Sequence, residues 1–304
     1  MHPLNNILIA TDLSGPARQA ADRAGRLARH TGAHLRLVHA LSAGVAAQLQ
    51  QLLGVDTALE AALQAQTAQE LQALAAALAA DHQIKVEPHL LQGSVVLEIN
   101  READAMGADL VVIGARGTGF MRRLMYGSTA ERLLRKSTRP MLVVKQRAHE
   151  PYQRVLVALD CSPWSQPLIT LAQRIAPRAH LVLLSAYDVP YQSRMRLAGV
   201  SDDSMQRYRA QAKHSAQQQV HALAATAGLT PSDWTPCLRH ADPSLAIVEQ
   251  EIEQACDLIV VGKHGRNVVE DLLLGSVTSH VLAESAGDVL VSNSIGGIDH
   301  ARTG

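Results

Sequence analysis

The chain has 304 residues, 47% hydrophobic and 18% charged, which is enough for two domains with real cores and too apolar for a long disordered region. Formal charge sums to zero, with 16 basic and 12 acidic residues in 1–148 against 12 and 16 in the remainder, so the halves are +4 and −4. A balanced total of this kind argues against nucleic-acid binding, and the opposite signs suit docking of one half on the other.

The opening "MHPLNNILIA" shows no basic segment ahead of a long apolar one, and no later apolar run is long enough to cross a bilayer. The expectation is a cytoplasmic protein without a membrane partner. Cys161, Cys237 and Cys256 lack C-x-x-C spacing, so neither a disulfide framework nor a zinc knuckle is indicated, and small buried or half-buried side chains are expected.

Along the chain the pattern is strand, then helix, repeated. "NILIATDLS" is an apolar, β-branched run ending at Asp12, and "RVLVALDCS" repeats it 148 residues later, ending at Asp160. Alanine-rich helical patterns follow at about 16–31 and 165–176, then second strands "HLRLVHA" and "HLVLLSA". Long helices start near 56 and 201, the first with Asp56 or Thr57 and Glu60 as a plausible cap. Third strands ("IKVEPHLL", "WTPCLRH"), a helix, fourth strands ("DLVVIG", "DLIVVG"), a glycine loop, a last helix and a last strand ("RPMLVVK", "GDVLVSN") complete each repeat. The fold expected is α/β: two tandem doubly wound domains, 1–147 and 153–295, each a five-stranded, mostly parallel sheet with helices on both faces. In such sheets ligands bind beyond the carboxyl ends of the strands, where strand order reverses, which is where Asp12, Asp160 and the glycine loops should lie.

Both loops read G-x2-G-x9-G-S: Gly114, Gly117, Gly127 and Ser128, then Gly262, Gly265, Gly275 and Ser276. Residues without Cβ let the chain bend through positive φ and bring N–H groups to an anion. Each loop returns at a helix N-terminus, at Ser128–Thr129 and Ser276–Val277, where unpaired N–H groups and the helix dipole favour phosphate. A plain structural role competes: Gly114 and Gly262 could simply end strands, and Ser128 with Glu131 forms an S-x-x-E capping box. Recurrence of the whole spacing between strand and helix favours the phosphate cup. Asp12 and Asp160 could accept from a ribose hydroxyl or hold Mg²⁺ through water, or could cap the following turn.

The stretches "ILIATDLS", "DLVVIGARG" and "GSTAERLLRKSTRPMLVV", with "VLVALDCS", "DLIVVGKHG" and "GSVTSHVLAESAGDVLV", resemble the universal stress protein family in tandem form. Members that keep this glycine motif bind ATP. The resemblance therefore implies that Asp12 and Asp160 lie beside the nucleoside or its Mg²⁺ and that the loop glycines, Ser128 and Ser276 hold phosphates. It also implies a role as a nucleotide-dependent stress sensor with an unidentified protein partner, and last strands that pair as an internal pseudo-dimer or in a homodimer. Two departures stand out. Asp288 replaces the family's proline, present as Pro140, which puts the start of the last strand in doubt. Arg116, Arg122 and Arg123 flank the first loop, whereas Lys263, His264 and Arg266 precede Glu270 and Asp271 in the second.

No G-x-x-x-x-G-K-[ST], S-G-G-x-D-S or H-x-G-H motif occurs, and no nucleophile triad or paired carboxylates present themselves. Alternatives are slow ATP hydrolysis, adenylate processing, or a nucleotide-independent scaffold. Fourteen histidines include no H-E-x-x-H or zinc spacing; His30 and His34 straddle the expected helix end at Thr31 and Gly32. Cys161 adjoins Asp160 and suggests a redox role, against which Leu13 fills the matching place in the first repeat.

Overall fold

The computed structural model describes residues 4–42, 57–115, 127–189, 192–263 and 274–293. By contacts the chain divides into two compact units, Met1–Pro151 with Asp288–Asn293, and Tyr152–Glu270 with Leu274–Gly287.

The first unit contains β1 (Asn6–Ala10), α1 (Gly15–Thr31), β2 (His34–Leu41), α2 (Thr57–His82), β3 (Val86–Gln92), α3 (Val95–Ala105), β4 (Leu110–Gly114), α4 (Ser128–Lys136) and β5 (Met141–Val144). Its strands lie in the order β3-β2-β1-β4-β5 and all run parallel. Ile7, Leu8 and Ile9 are fully buried although successive side chains point to opposite faces, so helices must cover both sides of the sheet. Helix α1 lays Ala17, Ala20, Ala21, Ala24 and Ala28 against that sheet, and these small side chains permit close approach. Ser14 caps its start by accepting from the N–H of Ala17 at 3.4 Å, and Gly32 ends it in the left-handed region at φ 72°. Helix α2 begins at Thr57; the capping position Asp56 lies outside the described residues. It buries Leu71, Leu74, Ala75, Leu78 and His82, a stripe at helical spacing.

The second unit repeats this plan with β6 (Arg154–Leu159), α5 (Ser165–Ile175), β7 (His180–Ala186), a short α6 (Gln192–Leu197), α7 (Asp202–Thr226), β8 (Trp234–Arg239), α8 (Pro243–Glu253), β9 (Leu258–Gly262) and α9 (Ser276–Glu284). Its strands run β8-β7-β6-β9, again parallel. The strand-and-helix pattern of the sequence does not foresee helix α6. Pro88 and Pro236 fall in β3 and β8, each hydrogen-bonded to one neighbour only within its unit, where a missing N–H is tolerated.

A duplicated brace fixes the amino-terminal edge of each sheet. Asp109 Oδ2 accepts from the N–H groups of Asn5 and Asn6 at 2.8 and 3.1 Å, and Asp257, 148 residues on, accepts from Gln153 and Arg154 at 2.7 and 3.2 Å.

The doubt about Asp288 is resolved. The last strand of the second repeat forms as β10 (Asp288–Ser292), buried along its length, and packs in the first unit antiparallel to β5 in the register Val289↔Val143, Leu290↔Leu142, Val291↔Met141. Aspartate replaces proline at its start because the carboxylate is fully used. Oδ1 accepts from the N–H groups of Lys145 and Gln146 at 2.8 and 3.1 Å, and Oδ2 lies 3.2 Å from Arg23 Nε. In the second unit, buried Glu251 accepts from the N–H groups of Ala286 and Gly287 and holds the preceding turn.

Candidate functional site

Strands β1 and β4 are neighbours, with Ala10 opposite Ile113, yet the chain leaves them in opposite directions, toward β2 and toward β5. Their carboxyl ends therefore flank the crevice where strand order reverses. Asp12 follows β1 and Gly114 ends β4. In the second unit Asp160 follows β6 and Gly262 ends β9, the same arrangement.

The turn after β1 is held by side chains. Asp12 Oδ1 accepts from the N–H of Ser14 at 3.1 Å and from its hydroxyl at 2.5 Å, and Leu13 N–H donates to Thr11 Oγ1 at 3.0 Å. Asp160 Oδ1 accepts from the N–H of Ser162 and from Ser165 Oγ, both at 3.0 Å. One carboxylate oxygen of each aspartate thus serves the turn, the capping role weighed for it above. Between these groups Leu13 and Cys161 adopt left-handed backbone, φ 64° and 55°, which costs a non-glycine residue roughly 1–2 kcal/mol. Such strain, kept at equivalent places in both units, marks positions the surroundings over-determine. His39, at the end of β2, donates from Nδ1 to the carbonyl of Thr11 at 2.7 Å and borders the same edge. The sequence patterns did not single it out; its signal was a histidine at the carboxyl end of a strand beside the aspartate-bearing one.

The glycine loops are tied identically at their bases. Gly127 N–H donates to Ala115 O at 2.9 Å, and Gly275 N–H donates to Lys263 O at 3.0 Å, each partner again 148 residues apart. Helices α4 and α9 start immediately after, with Gly127 and Gly275 as N-caps that offer no side-chain oxygen. Ser128, Thr129, Ser276 and Val277 form the first turns, so backbone N–H groups face this edge without a side-chain cap. The competing capping box at Ser128 does not form: Ser128 lies inside the helix, and Glu131 pairs with Arg135 at 2.8 Å.

The role given to glycine flexibility is corrected at the described loop glycines. Gly114 and Gly262 are strand residues and are absent from the left-handed glycines, while Gly127 and Gly275 have φ −73° and −58°. Gly114 sits at a close approach: a Cβ there would lie 3.1 Å from Pro16 O and 3.3 Å from Ala17 Cα, where α1 crosses the strand end. Gly117 and Gly265, with Arg116, Arg122, Arg123, His264, Arg266, Glu270 and Asp271, lie outside the described residues.

The two crevices differ in their borders. In the second, Thr278 Oγ1 donates to Gly262 O at 2.7 Å and Lys263 is buried, where the first unit has Ala130 and Ala115. Burial raises the thiol of Cys256 to about 11 and that of Cys237 upward, so both stay protonated at neutral pH. Cys161 is half-buried with Sγ 3.8 Å from Ser185 Oγ.

Comparison with known proteins matches the universal stress protein family model to residues 3–145 and again to 151–293. The chain belongs to the universal stress protein family, as two tandem copies. A universal stress protein of Mycolicibacterium smegmatis is 29% identical over 224 residues, spanning 65% of this chain and 68% of the relative. One from Mycobacterium tuberculosis is 27% identical over 227 residues, spanning 71% and 72%. The crystal structure of a universal stress protein from Archaeoglobus fulgidus superposes with a TM-score of 0.67 at 20% identity, covering 94% of this chain and 95% of that one, and shows the shared fold. Among the described residues of this universal stress protein, no helix is long and apolar enough to cross a membrane.

Proposed function

We propose that this universal stress protein is a stress-response nucleotide sensor that binds ATP, alone or with Mg²⁺, at two sites, one in each repeat, over domains 1–147 and 153–295. The observation that carries the reading is the duplicated loop base. Equivalent hydrogen bonds, Gly127 N–H to Ala115 O and Gly275 N–H to Lys263 O, precede helix N-termini capped by glycine at the crevice between β1 and β4 and between β6 and β9. A triphosphate suits such an edge, because glycine caps leave room and the helix dipole adds partial positive charge. Asp12 and Asp160 follow the neighbouring strand ends, and in this reading their carboxylates meet ribose hydroxyls or a hydrated metal ion. Nucleotide occupancy would then alter the loops and the surface offered to a protein partner.

Isothermal titration with ATP and Mg²⁺ tests this. The expected result is about two nucleotides per chain, with Gly117→Ala and Gly265→Ala each removing one of them. Unchanged stoichiometry and affinity in both variants would take the loops out of the account.

A further inference from the structure

We infer that the buried Arg23–Asp288 pair is a selectivity key that directs the last strand of the second repeat onto the last strand of the first and penalises like-with-like pairing between copies of the chain. Strand β5 needs an antiparallel neighbour, and the two repeats supply similar apolar candidates, "MLVV" and "DVLVS". The observed register centres on Leu142 opposite Leu290, which are equivalent positions of the repeat, so pairing β5 with a second β5, or β10 with a second β10, would place the same kinds of side chains in contact. Hydrophobic pattern alone does not choose among the three.

The charges do. Arg23 lies on the alanine-lined face of α1 with its side chain 7% exposed, and Asp288 is 0% exposed. Arg23 also donates from Nη1 to Glu150 O at 2.9 Å, and Asp288 takes two backbone N–H groups of the segment after β5. At the equivalent positions stand Leu171 for Arg23 and Pro140 for Asp288. Pairing β5 with β5 would thus bury two arginines opposite prolines, and pairing β10 with β10 would bury two aspartates near leucines. Only β5 with β10 neutralises both charges. An uncompensated buried charge is strongly destabilising, whereas the matched pair itself adds little net stability, which is the behaviour of a specificity element.

A double-mutant cycle in the full-length chain, read by amide hydrogen exchange at Lys145, Gln146 and Val289–Val291, measures the key directly. Asp288→Asn keeps an oxygen for the two backbone donors while removing charge, and Arg23→Leu installs the residue of the other repeat. Each single variant is expected to lower protection by about 100-fold, because each strands one buried charge. The double variant is expected to regain most of it. If a single variant fails to fold, a folded, protected double variant supports the assignment equally. Protection in the double variant equal to the product of the two single losses would show that the charges act independently, and would overturn the assignment.

Discussion

The two crevices share their backbone and differ in their borders. Base hydrogen bonds, glycine caps and left-handed turns recur at a fixed offset of 148, at Ala115–Gly127 and Lys263–Gly275 and at Leu13 and Cys161. The bordering side chains do not: Thr11, His39 and Ala130 of the first repeat correspond to Leu159, Ser185 and Thr278 of the second. What persists is what positions main-chain N–H groups, as a site that grips phosphate through backbone requires. What varies is available to tune each site separately.

The largest break in this likeness comes from Gly114→Val. Added methyls would press on Pro16 and Ala17, whose backbone is fixed by α1, and we expect a loss of about 3 kcal/mol in the first unit by urea denaturation, with the second unit unaffected. A smaller contrast is set by Thr278→Ala, which recreates the Ala130 border. It removes one hydrogen bond to Gly262 O and is expected to cost about 1 kcal/mol in the second unit alone. The finest distinction concerns acid. His34 and His180 are equivalent, but His34 Nε2 meets Glu87 at 3.0 Å whereas His180 Nε2 meets the hydroxyl of Thr235. Hydrogen bonds from His34, then Arg36, hold Glu87 at about 2, below its ordinary 4.5. A carboxyl lowered on folding stabilises fully above its unfolded value and loses that contribution as pH falls through the folded one. Melting temperature measured from pH 5 to 2 should therefore fall less steeply in Glu87→Gln than in wild type, while Thr235→Ala leaves the slope unchanged.

Much of this was legible in sequence because it is local or repeated. Buried strands read as apolar runs such as "LVVIG", the end of α1 announced itself at Gly32, and duplication located both loops. The reason for Gly114 was not legible, since it depends on how closely α1 crosses β4 rather than on its own torsion. Nor was the start of β10, because Asp288 finds its partner Arg23 far away in the chain. One anomaly in the sequence pointed there, an aspartate in a proline's place.

Diffraction from crystals soaked with ATP and Mg²⁺ tests the central claim most directly. The account predicts triphosphate density over the N-termini of both α4 and α9, within hydrogen-bond reach of Ser128–Thr129 and Ser276–Val277. Nucleotide bound elsewhere, or both helix ends covered by the protein's own side chains, would contradict it.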